Sequence, residues 1–228
     1  MHNLLNIDNM AFDFQGEADL IYADCIYESL EFGWIEKYWK FLKYSGIFMV
    51  QTDYHSVAQM KIYIDSLPNS NFVNWLIYKQ EWGGTPRKGF PQKHDDILVY
   101  SKGKDFYWNK DNIQIPKKTA GTAFDKKGTG LKTPCSVFDD LGNFSTVSKE
   151  RIKTEDNHNQ KWQKPIKLME RLIFPFCPVE GLVIDPFCGT GTTGVVCIKN
   201  GINFIGIEFD KRVYNLANDR LRKVLGDK

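Results

Sequence analysis

Apolar residues recur along the chain with two spacings that alternate from its beginning to its end. Short continuous apolar runs predict buried strands, and apolar residues about one helical turn apart predict helices with one buried face. The predicted strands are Ala18–Asp24, Gly46–Val50, Phe72–Tyr78, Ile97–Tyr100, Leu182–Asp185 and Ile202–Ile207. The predicted helices are Gly33–Tyr44, a segment with Val57, Met60 and Ile64 on one face, Pro165–Phe174, Thr192–Lys199 and a final helix capped by Asp210.

The middle of the chain lacks this regular pattern. Between Lys102 and Asp156 the apolar periodicity fades, and Lys, Gly, Thr and Asn become frequent. Such a segment predicts an irregular or loosely β insertion. On either side of it strands alternate with helices, an order typical of a mostly parallel sheet covered by helices on both faces. The sequence therefore predicts an α/β fold with one small insertion.

Composition limits the classes of protein to which this chain can belong. Hydrophobic residues make up 42% and charged residues 25% of its 228 residues, as in ordinary globular domains. The segment from Met1 to Gly16 has no basic start and no long apolar run. We therefore expect no signal peptide, no membrane segment and a cytoplasmic protein. The five cysteines form no CxxC pair, so we expect reduced thiols and no metal site.

The clearest chemical signal is a glycine-rich turn between a strand that ends at Asp185 and the helix that follows it. Gly189 and Gly191 can adopt backbone angles closed to other residues and let a ligand approach the main chain. Gly194 lets the helix pack close to the sheet. Glu208 ends the next strand, at the distance along the chain where an acid accepts ribose hydroxyl groups. These features together predict a site for an adenosine nucleoside.

The spacing of these glycines leaves the chemical class of the nucleoside open. It satisfies the GxGxxG pattern of dinucleotide-binding enzymes, so a nucleotide dehydrogenase is permitted. Asp185 favours another ligand, because a carboxylate that opens the turn repels a nearby pyrophosphate. A cationic ligand such as a sulfonium amino acid fits this turn better.

Several segments resemble, in the correct order, the motifs of amino-methylating DNA methyltransferases of the permuted β-class. Asp185-Pro-Phe-Cys-Gly-Thr-Gly-Thr-Thr193 is similar to their motif I, and residues 163–173 are similar to their motif X helix. Residues 94–103 resemble a segment that the family carries before its target-recognition region, and residues 134–138 resemble one just after it. The resemblance covers nearly the whole chain. It implies a Rossmann-like methyltransferase fold with a circularly permuted order of motifs.

The resemblance also implies a division of the chain and a reaction. Residues 1–103 would form the catalytic half of the methyltransferase domain, residues 104–157 the target-recognition insertion, and residues 158–228 the half that binds S-adenosylmethionine. The methyl group would go to the exocyclic amine of a base flipped out of double-stranded DNA. Related enzymes often pair, so a homodimer is a further expectation.

The catalytic tetrapeptide departs from the family pattern. Where the family has Asp-Pro-Pro-Tyr or Ser-Pro-Pro-Tyr, this chain has Asp24-Cys25-Ile26-Tyr27. The resemblance assigns Asp24 and the Cys25 carbonyl to hydrogen bonds with the target amine, and Tyr27 to stacking on the flipped base. The absence of both prolines predicts a less rigid loop. Asp in the first position, rather than Ser, favours adenine N6 and leaves cytosine N4 open.

The remaining candidate residues are those that the resemblance implies for the cofactor. They are Asp8, Lys164, Asp185, Phe187, Gly189, Gly191, Thr192 and Glu208. Asp8 lies in a segment similar to motif III and would approach the adenine. Lys164 lies in the segment similar to motif X and would meet the methionine carboxylate. That segment departs from the family at Gln160, where the family has His.

Basic residues are concentrated in the predicted insertion. Residues 102–153 contain eleven Lys and Arg against six Asp and Glu, a net charge of +5, whereas the whole chain carries +2. Such a patch suits contacts with phosphates, which position a duplex without reading its sequence. Phe106, Tyr107 and Trp108 add rings for stacking on bases or wedging between them.

The leading interpretation is an active, site-specific DNA adenine methyltransferase. The lost prolines leave open a catalytically weak subunit that binds nucleic acid and supports a partner. The same chemistry would also allow cytosine N4 or an amine of RNA as the methyl acceptor. A nucleotide dehydrogenase is a further alternative, because its fold has the same glycine pattern. For methyl transfer, the ends of two neighbouring strands must bring Asp24 and Tyr27 next to a methyl donor that is bound over Gly189 and Gly191.

Overall fold

The computed structural model describes residues 1–25, 31–80, 86–126, 128–142, 144, 148–153 and 162–226. The strands are β1 (His2–Leu5), β2 (Ala18–Asp24), β3 (Leu42–Thr52), β4 (Ser70–Lys79), β5 (His94–Lys102), β6 (Ile115–Pro116), β7 (Leu131–Lys132), β8 (Val137–Phe138), β9 (Leu182–Asp185) and β10 (Asn203–Ile207). The helices are α1 (Gly33–Lys40), α2 (Val57–Asp65), α3 (Ile166–Ile173), α4 (Thr192–Lys199) and α5 (Lys211–Gly226). Within these ranges, no helix combines the length and the apolar character that crossing a membrane requires.

The described strands form one large sheet in the order β1-β10-β9-β2-β3-β5-β4-β8, and β6 pairs with β7 apart from it. β1, β10, β9, β2 and β3 run parallel, whereas β5 is antiparallel to both β3 and β4. The carboxyl ends of the five parallel strands and the amino end of β5 therefore lie at one edge of the sheet. This arrangement confirms the predicted α/β fold with a mostly parallel sheet.

Apolar side chains cover both faces of the sheet, as β2 illustrates. Leu20 and Tyr22 belong to the core on the side of α3 and α4, and Ile21 and Ala23 belong to the core on the side of α1 and α2. None of the four is more than 2% exposed. Burial on both faces explains why β2 appears in the sequence as a continuous apolar run rather than an alternating one.

The helix predicted from Gly33 to Tyr44 ends earlier than its apolar spacing indicates. α1 stops at Lys40, and β3 begins at Leu42, earlier than predicted. The reason is pairing with β2, because Leu42 lies opposite Ala18, whose N–H donates to the carbonyl of the residue before Leu42 at 2.8 Å. Hydrogen bonds across the sheet here override a local helical pattern.

Two parts of the sheet have no strong apolar signal. β1 was not predicted, and it pairs with β10 at the edge of the sheet. β5 begins at His94, before the predicted strand, and its next two residues are the buried Asp95 and Asp96, which are 8% and 4% exposed. Asp95 accepts a hydrogen bond from Gln51 Nε2 at 2.7 Å, and Asp96 accepts one from Trp75 Nε1 at 2.7 Å. These partners allow acids to be buried in a strand.

The described part of the insertion contains little regular structure. Its strands β6, β7 and β8 have two residues each, and β8 extends the main sheet by pairing with β4. The rings of Phe106 and Trp108 pack against Phe176, with centroids 6.1 Å and 4.9 Å apart. These two rings, predicted to stack on bases, therefore attach the start of the insertion to the rest of the domain.

The five cysteines are free thiols. Four of them are buried, and Cys135 is exposed. Burial raises the pKa of Cys25 and that of Cys177 to about 12. These two thiols therefore stay protonated at neutral pH and act as small apolar side chains.

Gly194 lies where α4 packs against β10 and α5. A Cβ atom added there would lie 2.6 Å from Cε1 of Phe204 and 3.0 Å from Cδ2 of Leu221. We expect Gly194→Val to lower the free energy of unfolding by about 1–3 kcal/mol, measured by chemical denaturation. The matched control is Gly33→Val, where an added Cβ atom would meet nothing within 4 Å. Equal denaturation midpoints for the two variants would contradict the close packing at Gly194.

Candidate functional site

Acidic residues end three neighbouring strands at the same edge of the sheet. Asp24 ends β2, Asp185 ends β9, and Glu208 follows directly after β10. β9 pairs in parallel with both β2 and β10, so the three acids lie at the ends of adjacent strands. Strands that are far apart in the sequence thus bring the candidate catalytic acid next to the glycine-rich turn.

A cavity of about 480 Å³ opens at this edge. Its volume lies in the range of sites that hold small molecules and cofactors. The predicted residues that line it are Asp8, Asp24, Lys164, Asp185, Phe187, Gly189, Thr192 and Glu208. Among the lining residues in the described ranges, four are acids and Lys164 is the one base. The cavity therefore suits a ligand with positive charge.

Asp185 is the most deeply buried of these acids, at 2% exposure. Its Oδ2 accepts a hydrogen bond from the Thr193 hydroxyl at 2.6 Å, and its Oδ1 accepts one from the Phe187 N–H at 3.0 Å. Burial raises the pKa of Asp185 to about 7; these two hydrogen bonds oppose the shift, and the nearby Asp24 and Glu208 add to it. A cationic ligand beside Asp185 would offset the cost of ionising the buried carboxyl.

The glycines of the turn have different surroundings. Gly189 and Gly191 both have positive φ angles, 50° and 74°. An added Cβ atom at Gly189 would meet nothing within 4 Å, and Gly189 lines the cavity. Gly191 is not among the lining residues: its N–H donates to the Cys188 carbonyl at 2.8 Å, and its Cβ position lies 3.4 Å from Cβ of Ala217. Gly191 thus closes the turn and packs against α5, and its contact with a ligand stays a prediction.

The main chain orients the carboxylates of Glu208 and Asp8. Glu208 accepts hydrogen bonds from the N–H groups of Gly189 at 3.0 Å and Asp210 at 2.8 Å, and burial raises its pKa. Asp8 accepts one from the N–H of Met10 at 2.7 Å. A carboxylate has about four lone-pair sites, so both groups retain acceptor capacity for hydroxyl or amino groups of a ligand.

The ammonium of Lys164 lies between two carboxylates. Its Nζ is 3.1 Å from Oδ2 of Asp24 and 3.2 Å from Oδ2 of Asp95. The family resemblance implied that Lys164 meets the carboxylate of a ligand. These two contacts with carboxylates of the protein were not predicted. The second catalytic candidate, Tyr27, and the motif X position Gln160 fall outside the described residues.

Thr192 connects the glycine-rich turn to two other segments. Its hydroxyl donates to the main-chain carbonyl of Lys164 at 3.1 Å. The same oxygen accepts a hydrogen bond at 2.9 Å from Arg220 of α5, which also donates to the carbonyl of Thr190 at 3.1 Å. Arg220 had no signal in the sequence, because basic residues are common along exposed helix faces. These contacts join the turn, α5 and the segment before α3 into one support for the cavity.

Aromatic residues that the sequence did not single out also border the cavity. Trp162 and Phe209 line it and are 77% and 74% exposed. Tyr22 lines it from β2. Phe187, which the sequence analysis did name, packs edge-on against Trp34 with ring centroids 5.0 Å apart. Exposed rings beside a cavity can cover a flat ligand. Because the chain has many aromatic residues, the sequence could have indicated only Phe209, which directly follows Glu208.

This chain is similar to known proteins in both sequence and fold. Residues 17–219 match the family model N6_N4_Mtase, described as DNA methylase. The type II methyltransferase M.HpaI of Haemophilus parainfluenzae is 29% identical over 195 residues, which cover 84% of this chain and 59% of M.HpaI. The DNA adenine methyltransferase YhdJ of Escherichia coli (strain K12) is 28% identical over 227 residues, which cover 90% of this chain and 76% of YhdJ.

The structural comparison agrees with the architecture of the sheet. The crystal structure of the M1.HpyAVI-SAM complex superposes with a TM-score of 0.71 at 21% identity and covers 97% of this chain and 100% of M1.HpyAVI. The chain spans between 50% and 61% of the length of the first three curated relatives that it matches. Because the family model matches most of its length, the chain belongs to the N6_N4_Mtase family of DNA methylases.

Proposed function

We propose that this chain transfers a methyl group from S-adenosylmethionine to the exocyclic amine of a base in double-stranded DNA, with adenine N6 as the acceptor. The observation that carries the proposal is one cavity bordered by Asp24 on one side and by Asp185, Gly189 and Glu208 on the other. Membership in the DNA methylase family supports the class of reaction. Adenine is favoured by Asp24 in the first position of the tetrapeptide and by the relative YhdJ, which is named a DNA adenine methyltransferase.

The residues of the cavity fit S-adenosylmethionine by charge and by space. Asp185 is a buried acid that gains from a neighbouring cation, and S-adenosylmethionine carries a sulfonium and an ammonium group. Glu208 retains lone pairs for ribose hydroxyls, and the space beside Gly189 is open. Bound there, the cofactor supplies an electrophilic methyl group on a positively charged sulfur.

Asp24 compensates for the weak nucleophilicity of the acceptor amine. The lone pair of an exocyclic amine is delocalised into the base ring, which makes the nitrogen a poor nucleophile. The Asp24 carboxylate and the Cys25 carbonyl accept hydrogen bonds from its two N–H groups and stabilise the positive charge that develops on the nitrogen. We assign Tyr27 to stacking on the flipped base. Asp24 thus favours the transition state over the ground state.

We assign residues 104–157 to contacts with the DNA duplex, residues 1–103 to the catalytic half and residues 158–228 to the cofactor half. The basic excess of the insertion supports the first assignment, and Lys118, Lys126 and Lys132 are exposed. Contacts of this kind hold phosphates and make binding weaker as the salt concentration rises. Association into a homodimer stays a prediction.

The test is transfer of labelled methyl groups from S-adenosylmethionine by the purified protein to duplex DNA of mixed sequence, with RNA and no acceptor as parallel samples. We expect label in DNA, and digestion to nucleosides is expected to place it on N6-methyladenine. Label on cytosine would change the acceptor to N4, and label in RNA alone would change the substrate. Cofactor binding without transfer to any acceptor would contradict the enzymatic proposal and favour a subunit that supports a partner.

A further inference from the structure

A row of buried and half-buried polar side chains crosses three neighbouring strands beside the cavity. Tyr22 and Asp24 lie on β2, Gln51 lies on β3 and Asp95 lies near the start of β5. Asp24 is directly opposite Gln51 in the register of the sheet. Because side chains alternate along a strand, all four point to the face that α3 covers, where Tyr22 is part of the core.

Hydrogen bonds hold this row in one arrangement. The Tyr22 hydroxyl donates to Oε1 of Gln51 at 2.7 Å, and this contact directs Nε2 of Gln51 to Oδ2 of Asp95, also at 2.7 Å. Nζ of Lys164 lies 3.2 Å from the same oxygen of Asp95 and 3.1 Å from Oδ2 of Asp24. Gln51 is fully buried. The row therefore runs from Tyr22 through Gln51, Asp95 and Lys164 to Asp24.

We propose that Asp95 is a positioning residue, which holds the ammonium of Lys164 where it orients the Asp24 carboxylate toward the target amine. This inference rests on the proposed function, because it takes Asp24 as the group that meets the amine. A lysine ammonium is a point charge on a flexible stem, and a single partner does not fix its position. Asp95 supplies the second partner, and Gln51 and Tyr22 fix Asp95 in turn. In a site of low dielectric, such charged contacts are strong and directional.

The first test is Asp95→Asn, which keeps the shape of the side chain and removes its charge. A reacting group misplaced by about 1 Å can cost about 100-fold in rate, so we expect kcat to fall about 10- to 100-fold. The dissociation constant of S-adenosylmethionine is expected to stay within about threefold. The matched control is Asp96→Asn, because Asp96 is the neighbouring buried acid on β5 and accepts its hydrogen bond from Trp75 on the opposite face. We expect it to keep kcat within about threefold; equal losses of kcat in both variants would overturn the proposal.

The second test is a double-mutant cycle with Lys164→Gln at saturating cofactor and DNA. If Asp95 acts through Lys164, the double variant has the same kcat as Lys164→Gln alone. If the two decreases in kcat multiply in the double variant, Asp95 acts independently of Lys164. A merely structural role of Asp95 would lower the stability of the protein without this dependence on Lys164.

A crystal structure of Asp95→Asn gives a readout that does not need activity. We expect the ammonium of Lys164, now 3.2 Å from Oδ2 of Asp95, to move away from residue 95 toward Asp24, and the Asp24 carboxylate to leave its wild-type position. Unchanged positions of the Lys164 ammonium and the Asp24 carboxylate would overturn the positioning role, even for a protein without activity. A wild type that transfers no methyl group would contradict the proposed function, whereas an active wild type with an equally active Asp95→Asn variant would contradict only the role of Asp95.

Discussion

Replacing Asp24 by alanine is expected to slow methyl transfer to DNA about 100- to 1000-fold at saturating cofactor and DNA, the usual effect of removing a group that stabilises charge in the transition state. The fold is expected to survive, because Lys164 keeps Asp95 as a partner at 3.2 Å and no buried ammonium is left alone. The measurement is the single-turnover rate of methyl transfer, which excludes product release.

The control for Asp24→Ala is Glu36→Ala. Glu36 lies on α1, and its ion pair with Lys40 is exposed to solvent, so its removal is expected to leave the rate unchanged. A rate for Asp24→Ala close to that of the wild type would mean that the target amine meets another group. That result would contradict the assignment of Asp24 as the catalytic residue. It would not affect the proposed cofactor site, which depends on the glycine-rich turn.

Asp185 is expected to make the affinity for S-adenosylmethionine depend on pH. Burial raises the pKa of Asp185 to about 7, with Asp24 and Glu208 adding to the shift, and a bound cation favours the ionised form. Affinity is therefore expected to fall about tenfold for each pH unit below 7, until the pKa of the bound state is reached. Calorimetric titration from pH 8 to pH 5.5 measures this dependence.

The isosteric variant Asp185→Asn isolates the contribution of that carboxyl group. Its amide can still accept from the Phe187 N–H and donate to the Thr193 hydroxyl, so the turn is expected to persist. We expect at least about tenfold weaker binding at pH 8, as for the loss of a charged partner, and a flatter pH dependence. Glu208 is present in both proteins, so its titration does not distinguish them. Parallel pH curves for the two proteins would contradict the role of Asp185.

The same pKa shift predicts how the stability of the ligand-free protein varies with pH. The unfolded carboxyl has a pKa of about 3.9, so between about pH 4 and pH 7 the folded state binds more protons than the unfolded state. The stability contribution of Asp185 is therefore present below about pH 4 and is lost as the pH rises to 7. Denaturation at a series of pH values is expected to show this loss in the wild type and not in Asp185→Asn.

The segment from β9 to α4 was predictable from the sequence because its signals are local. The apolar run of β9, the glycines of the turn and the spacing along α4 all act over a few residues, and both elements have the predicted bounds. Gly201 has a φ of 69° just after α4, as expected for a glycine that follows a helix. Local chemistry thus determines both the structure of this segment and its assignment as a ligand site.

Contacts between distant residues explain what the sequence did not reveal. β2 lies beside β9. This pairing could be predicted only from the order of the family-like segments, because no local sequence pattern specifies which strands are neighbours. The contact of Lys164 with Asp95 and the packing of Gly191 against Ala217 both depend on how helices lie against the sheet. The early end of α1 has the same origin, since pairing with β2 recruits Leu42 into β3.

The most direct test of this account is a crystal structure of the protein with S-adenosylmethionine. We expect the cofactor in the cavity between β2, β9 and β10, with its ribose at Glu208, its positive charge beside Asp185 and its methyl group facing Asp24. A cofactor bound elsewhere, or one bound here with its methyl group directed away from Asp24, would contradict it.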